Sequence, residues 1–297
     1  MTHRIPHLAR TALAGATLAL AAVGAQAITL VGLTSANELA MIDTSNIAGA
    51  TTTAITGLAA GDRLVGIDLR PKDSKIYGIS LSNNIYTIDA SSGAASLVAA
   101  LSAPVINPTL GYGIDFNPMA DFGVAASLRL VSSAGNNYAV NASTGVVGNT
   151  ASNIGNGFSG VAYSNTSQNP SAAPAATSLY YINSVTDSLS VAGTGFNAPA
   201  LSFVGNLGID VLKASGFEVV FDGTTNMGIA ALNVDNGSLA TGLYSINLST
   251  GAATSLGTYN GTLSGLTVSP VPEPQTLALM LAGLVAVGAL AQRRRAV

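Results

Sequence analysis

The chain has no cysteine, no tryptophan and only two histidines in 297 residues. Without thiols, an exported fold must be closed by its core and by strand pairing, since no disulfide can staple it. Both histidines, His3 and His7, lie in a segment that reads as a cleaved leader. The rest of the chain therefore lacks Ser-His-Asp and Cys-His nucleophile systems and His- or Cys-based zinc sites. Acid-base chemistry is left to carboxylates, tyrosines and a few lysines. Charge is also scarce, at 8% of residues. Between Ile28 and Pro270, six basic residues stand against thirteen acidic ones, a net charge of −7. No basic stripe is available for a phosphate backbone, which argues against nucleic acid as a partner.

The two ends are informative. Arg4 and Arg10, the apolar stretch 11–23 and the small residues Ala25 and Ala27 form a secretory signal, with cleavage expected after Ala27. At the other end stand Pro272, Glu273 and Pro274, an uncharged run from Thr276 to Ala291, and Arg293, Arg294 and Arg295. As a helix that run is roughly 24 Å long, a short span for a hydrocarbon core of about 30 Å. The arginines hold the C-terminus in the cytoplasm. This arrangement resembles the PEP-CTERM sorting tail of Gram-negative bacteria. The resemblance implies passage through the Sec translocon, an inner-membrane-tethered precursor, and processing by an exosortase. It also implies a final place at the cell surface or in the extracellular matrix. The expected layout is a signal peptide (1–27), a folded domain (28–270) and a sorting tail (271–297).

Inside the domain a unit recurs: an apolar strand, Asp or Asn, a short polar turn, Gly and a small-residue strand. The copies end at Asp43, Asp89, Asn141, Asn183 and Asn247, and each reads as a β-hairpin. A second element, Gly-Ile-Asp, precedes hairpins at Asp68 and Asp115 and occurs again at Asp210. Four strands per unit and repeats near 45 residues predict an all-β, β-propeller-like fold of five four-stranded blades. The segment 263–270 reads as a blade's first strand, and 28–33 as a second strand missing its first. Paired, they would close the ring and remove exposed edges. A large antiparallel sandwich or a β-solenoid is the alternative. Residues 165–177, rich in Ser, Ala and Pro, read as an inserted surface loop.

The segments 64–71, 85–89 and 113–118 are similar to an uncharacterised bacterial domain family. Its members open with a Leu-, Asn- and Leu-bearing segment, here Leu33 to Leu39. The stretch 120–126 departs from its pattern, and of a basic pair only Arg129 is kept. The family implies fold and export but no activity.

Asp68, Asp115 and Asp210 are the candidate metal ligands, because equivalent blade positions would bring carboxylate oxygens together for Ca²⁺. The structural alternative is that each Asp ties down its own turn, which repetition favours. Tyr86, Tyr138, Tyr180, Tyr181 and Tyr244 fall in strands, where blade packing competes with a sugar-stacking surface. No catalytic signature is present, so a structural or adhesive exported protein is expected, with exopolysaccharide as a candidate partner. The alternatives are a carboxylate-based propeller hydrolase or lyase and a calcium- or carbohydrate-binding module. Two close, buried carboxylates in a channel mouth would favour the enzyme.

Overall fold

Short strands punctuated by Gly, Asn and Asp turns bury their apolar positions by pairing into small antiparallel sheets. A computed structural model describes residues 27–270, except 124–125, 169 and 235–236. The sorting tail, and the signal peptide apart from Ala27, lie outside the described residues. Among the described residues, no helix is long and apolar enough to cross a membrane.

Five four-stranded sheets form the blades. Blade I contains β1 (Thr29–Thr34), β2 (Glu38–Asp43) and β3 (Thr51–Ala54), with the chain's last strand added below. Blade II is β4 (Leu64–Arg70), β5 (Lys75–Ser80), β6 (Asn84–Ile88) and β7 (Ala95–Ala100). Blade III is β8 (Tyr112–Phe116), β9 (Ser127–Ser132), β10 (Asn137–Asn141) and β11 (Val147–Gly148), with a short helix α1 (Pro118–Phe122) after β8. Blade IV is β12 (Phe158–Tyr163), β13 (Leu179–Asn183), β14 (Ser188–Ala192) and β15 (Ser202–Asn206). Blade V is β16 (Val211–Phe221), β17 (Asn226–Val234), β18 (Thr241–Ile246) and β19 (Ala253–Tyr259). The last strand, β20 (Leu263–Val268), pairs antiparallel with β1 and completes blade I. The N- and C-terminal strands thus close the ring as the sequence predicts.

Strands β20, β4, β8, β12 and β16 pack on one another in that cyclic order around the axis. Burial falls outward from them. Every residue of β8 and β12 is buried, whereas β3, β7, β15 and β19 are mostly exposed or half-buried. The apolar clusters lie between blades. One joins Ile79 and Ile85 of blade II to Phe116 and Leu128 of blade III. Another joins Ile182 of blade IV to Phe217 and Val219 of blade V. Alternate residues of one strand face opposite neighbours: Leu30 packs toward blade V, and Val31 and Leu33 toward blade II. The period-2 pattern therefore builds interfaces on both sides of each blade.

The repeated hairpins are the third and fourth strands of blades I, II, III and V. Their Asp or Asn closes the turn through its own side chain: Asp89 Oδ1 accepts from Ser91 N at 3.1 Å and Ser92 N at 2.8 Å. Asn247 Oδ1 accepts from Ser249 N and Thr250 N in the same way. Asn183 differs. It ends the second strand of blade IV, so its turn lies at the opposite end of the propeller from the other four.

Candidate functional site

The inner strands share a position that the Gly-Ile-Asp triplet marks only in part. Aligned by Gly66, Gly113, Gly160, Gly216 and Gly265, the second residue after each glycine is Asp68, Asp115, Ala162, Glu218 and Thr267. The glycines allow close approach at the axis. A Cβ on Gly113 would lie 2.6 Å from Ser159 O, and one on Gly216 would lie 2.5 Å from Leu266 N. Three of these side chains accept from an amide of the next blade. Thr267 Oγ1 accepts from Leu69 N at 2.9 Å, Asp68 Oδ2 from Phe116 N at 2.7 Å, and Asp115 Oδ1 from Tyr163 N at 3.1 Å. Ala162 has nothing to offer, and Val219 N instead donates to Glu218 Oε1 at 3.1 Å.

Asp68, Asp115 and Glu218 converge: one carboxylate oxygen from each lies within 4.8 Å of the others. All three are 2–3% exposed. Thr267 Oγ1 sits between two of them, 2.9 Å from Asp68 Oδ1 and 3.0 Å from Glu218 Oε2. A hydroxyl has one hydrogen and can donate to only one carboxylate at a time. The other short contact is satisfied only if a carboxyl carries a proton or a cation neutralises the pair. The ion pairs among the described residues, Arg70 with Asp73 and with Asp121, do not touch the cluster.

Burial and mutual repulsion set the titration. Desolvation, then the charge of Glu218, holds the Asp68 carboxyl well above the ordinary carboxylate range. Desolvation, then the charges of Asp68 and Glu218, does the same to Asp115. Glu218 is pushed up to about 7, with desolvation the leading cause and the Thr267 hydroxyl opposing it.

A cavity of about 60 Å³ adjoins the cluster, lined by Asp68, Asp115, Glu218, Val268, Thr166 and Gln168 among others. The last two come from the loop expected on the surface between blade IV's first two strands. Residues 171–173 and 175–176 of that loop are exposed as expected, while its start bends over the channel mouth: Asn165 N donates to Asn226 Oδ1 at 2.7 Å, and Gln168 Nε2 to Ser269 O at 2.9 Å.

Asp210 does not join the cluster. It is exposed, lies just ahead of β16, and has no counterpart among the ring residues. Glu218 takes the place assigned to it. Arg129 is buried, with its guanidinium on Tyr163, Asn137, the Tyr138 carbonyl and Asn197. Tyr86, Tyr138 and Tyr181 are buried in blade packing, and Tyr180 and Tyr244 are half-buried, so they form no open stacking face.

Residues 26–267 match a domain of unknown function, DUF4394, and residues 270–295 match the PEP-CTERM protein-sorting motif. The motif implies export and membrane-anchored processing by an exosortase. A comparison with curated proteins returned no match. Among solved structures, the fold is similar to a calcium-binding protein, regucalcin, from Agrobacterium tumefaciens: 16% identity, TM-score 0.40, covering 70% of this chain and 63% of that one. A putative 6-phosphogluconolactonase from Bacteroides uniformis is 9% identical, TM-score 0.38, with 78% and 82% covered. PorZ, a surface component of the type-IX secretion system of Porphyromonas gingivalis, is 11% identical, TM-score 0.36, with 77% and 29% covered.

Proposed function

The chain belongs to the DUF4394 family, and we propose that it is an exported surface propeller carrying one calcium ion in its channel mouth. The observation behind this reading is the convergence of three buried carboxylates and one threonine hydroxyl on a single point, beside a cavity and, among the described residues, without a salt bridge to any cationic side chain. Two oxygens bound to one Ca²⁺ at about 2.4 Å can be at most about 4.8 Å apart, so the spacing suits a shared ion. An all-oxygen, anionic donor set selects a hard cation over zinc or copper. Asp68, Asp115 and Glu218 would hold the ion, with Thr267 as a fourth oxygen.

In this reading the leader is removed after Ala27 following passage through the Sec translocon. The tail then holds the precursor at the inner membrane until an exosortase acts at Pro272–Pro274. The released domain serves as a structural or adhesive component of the surface or matrix, with exopolysaccharide as its candidate partner. The ion would lock four of the five inner strands, β4, β8, β16 and β20, together outside the cell.

A carboxylate hydrolase or lyase is the second reading, because close, buried carboxylates in a channel mouth are the feature that favours it. Volume argues the other way. A 60 Å³ cavity holds an ion with a water or two, far below the roughly 300–1,000 Å³ of organic ligand sites.

Thermal unfolding tests the calcium reading. Saturation at 100 times Kd adds about 2.7 kcal/mol. For a domain of this size that is a shift of about 5–10 °C. Chelation should lower Tm by that much and calcium should restore it. An unchanged Tm on both additions would overturn the assignment.

A further inference from the structure

The chain leaves the propeller at the same end as the carboxylate cavity. Strand β20 runs toward that end, with Thr267 in the ring and Val268 lining the cavity. Ser269 is pinned beside the mouth, its N–H donating to Thr29 O at 2.9 Å and its carbonyl accepting from Gln168. Five residues, 271–275, then separate Pro270 from Thr276, where the uncharged apolar run begins. Fully extended, the six Cα-to-Cα steps from Pro270 to Thr276 span about 20 Å.

We infer that the tethered precursor turns its cavity mouth toward the membrane. A tether this short holds the exit face within about 20 Å of the bilayer, while the opposite turns stand a further inner-strand length away, about 20 Å more. Charge explains why the tether, and not adhesion, sets this orientation. The exit end exposes Asp43, Asp89 and Asp222, with Asp73 half-buried, against Lys72 and Lys75. An acidic face is repelled by anionic headgroups, so it stays near them only while it is held. This orientation rests on the sorting tail acting as a membrane tether and not on the calcium reading.

The cysteine-free sequence makes the test direct. Thr224→Cys places a thiol at the exit end, Lys75→Cys a second one there, and Val185→Cys one at the opposite end, all at exposed positions. Each full-length chain is reconstituted in liposomes containing anionic lipid and labelled with a bulky, membrane-impermeant maleimide. Rates are normalised to the same protein in detergent. The exit-end thiols should label several-fold more slowly than position 185. A flexible Gly/Ser insert of about 30 residues after Pro270, about 30 Å in r.m.s. length, should remove the difference. Equal rates with the native tether would overturn the inference. A difference that survives the long insert would also overturn it, because adhesion would then be responsible. Failure of the calcium reading would leave these rates unchanged, so the two claims fail separately.

Discussion

Glu218 carries the clearest consequence at the residue scale. Its folded-state pKa is raised from an ordinary 4.5 to about 7, so the folded protein binds more protons than the unfolded chain between those values. Stability is then fully present below about 4.5 and is lost as pH rises through about 7. Asp68 and Asp115, also raised, act in the same direction. The cation-free Tm should therefore fall as pH goes from 4.5 to above 7, and saturating calcium should flatten that decline, as differential scanning calorimetry would show. Glu218→Gln keeps a group able to hydrogen-bond Thr267 and removes one charge. It should raise cation-free stability at pH 8 by about 1–3 kcal/mol and eliminate the calcium shift. Asp210→Asn should change neither, because Asp210 is exposed and remote from the ring. The sequence identifies Asp68 and Asp115 because both keep the full Gly-Ile-Asp triplet. Glu218 and Thr267 follow Gly216-Phe217 and Gly265-Leu266, where the middle residue needs only to be large and apolar to fill the neighbouring interface. Requiring isoleucine there selects Gly208-Ile209-Asp210 instead, a turn outside the inner strand.

At the scale of the element, the inner strand's glycine and its ring side chain form one device. The glycine lets two backbones approach, and in blades I, II and III the side chain two residues on then reaches the next blade's amide. Adding a methyl at Gly216 sets a Cβ against Leu266 N and Cβ at 2.5 Å, with backbone on the far side and little room to yield. Gly216→Ala should cost about 1–3 kcal/mol, read as a lowered denaturant midpoint with an unchanged slope. The outer hairpins are legible in the sequence because their Asp or Asn and following Gly belong to local turn chemistry that needs no partner blade. Asn183 shows the limit of that signal. Its side chain also accepts from the two following amides, Val185 N and Thr186 N, so a second-strand turn imitates a third-strand one. Only the ladder, with β13 between β12 and β14, tells them apart. The loop 165–177 is legible as an exposed irregular segment from its polar, Pro-containing composition, but composition does not tell that its start lies over the channel mouth.

The whole molecule is a ring whose closing strand comes from the far end of the chain. Strand β20 supplies the β1 ladder, Leu263 and Leu266 of the blade V–blade I interface, and Thr267 of the carboxylate cluster. Removing residues 263–297 should therefore abolish the single cooperative unfolding transition, a loss that calorimetry would detect. Export is tested at this scale by intact mass: the secreted form should begin at Ile28 and lack the arginine cluster, and a surface-located chain retaining Arg295 would contradict the sorting account. The central claim, an ion shared by Asp68, Asp115 and Glu218, is tested most directly by calorimetric titration of calcium into the chelator-stripped full-length protein near pH 6.5, in buffers of different ionisation enthalpy. Cation binding must displace the protons that the buried carboxyls hold. One calcium per chain should bind with net proton release, and both should be lost in Glu218→Gln. Absence of binding, or binding without proton release that survives Glu218→Gln, would contradict the claim.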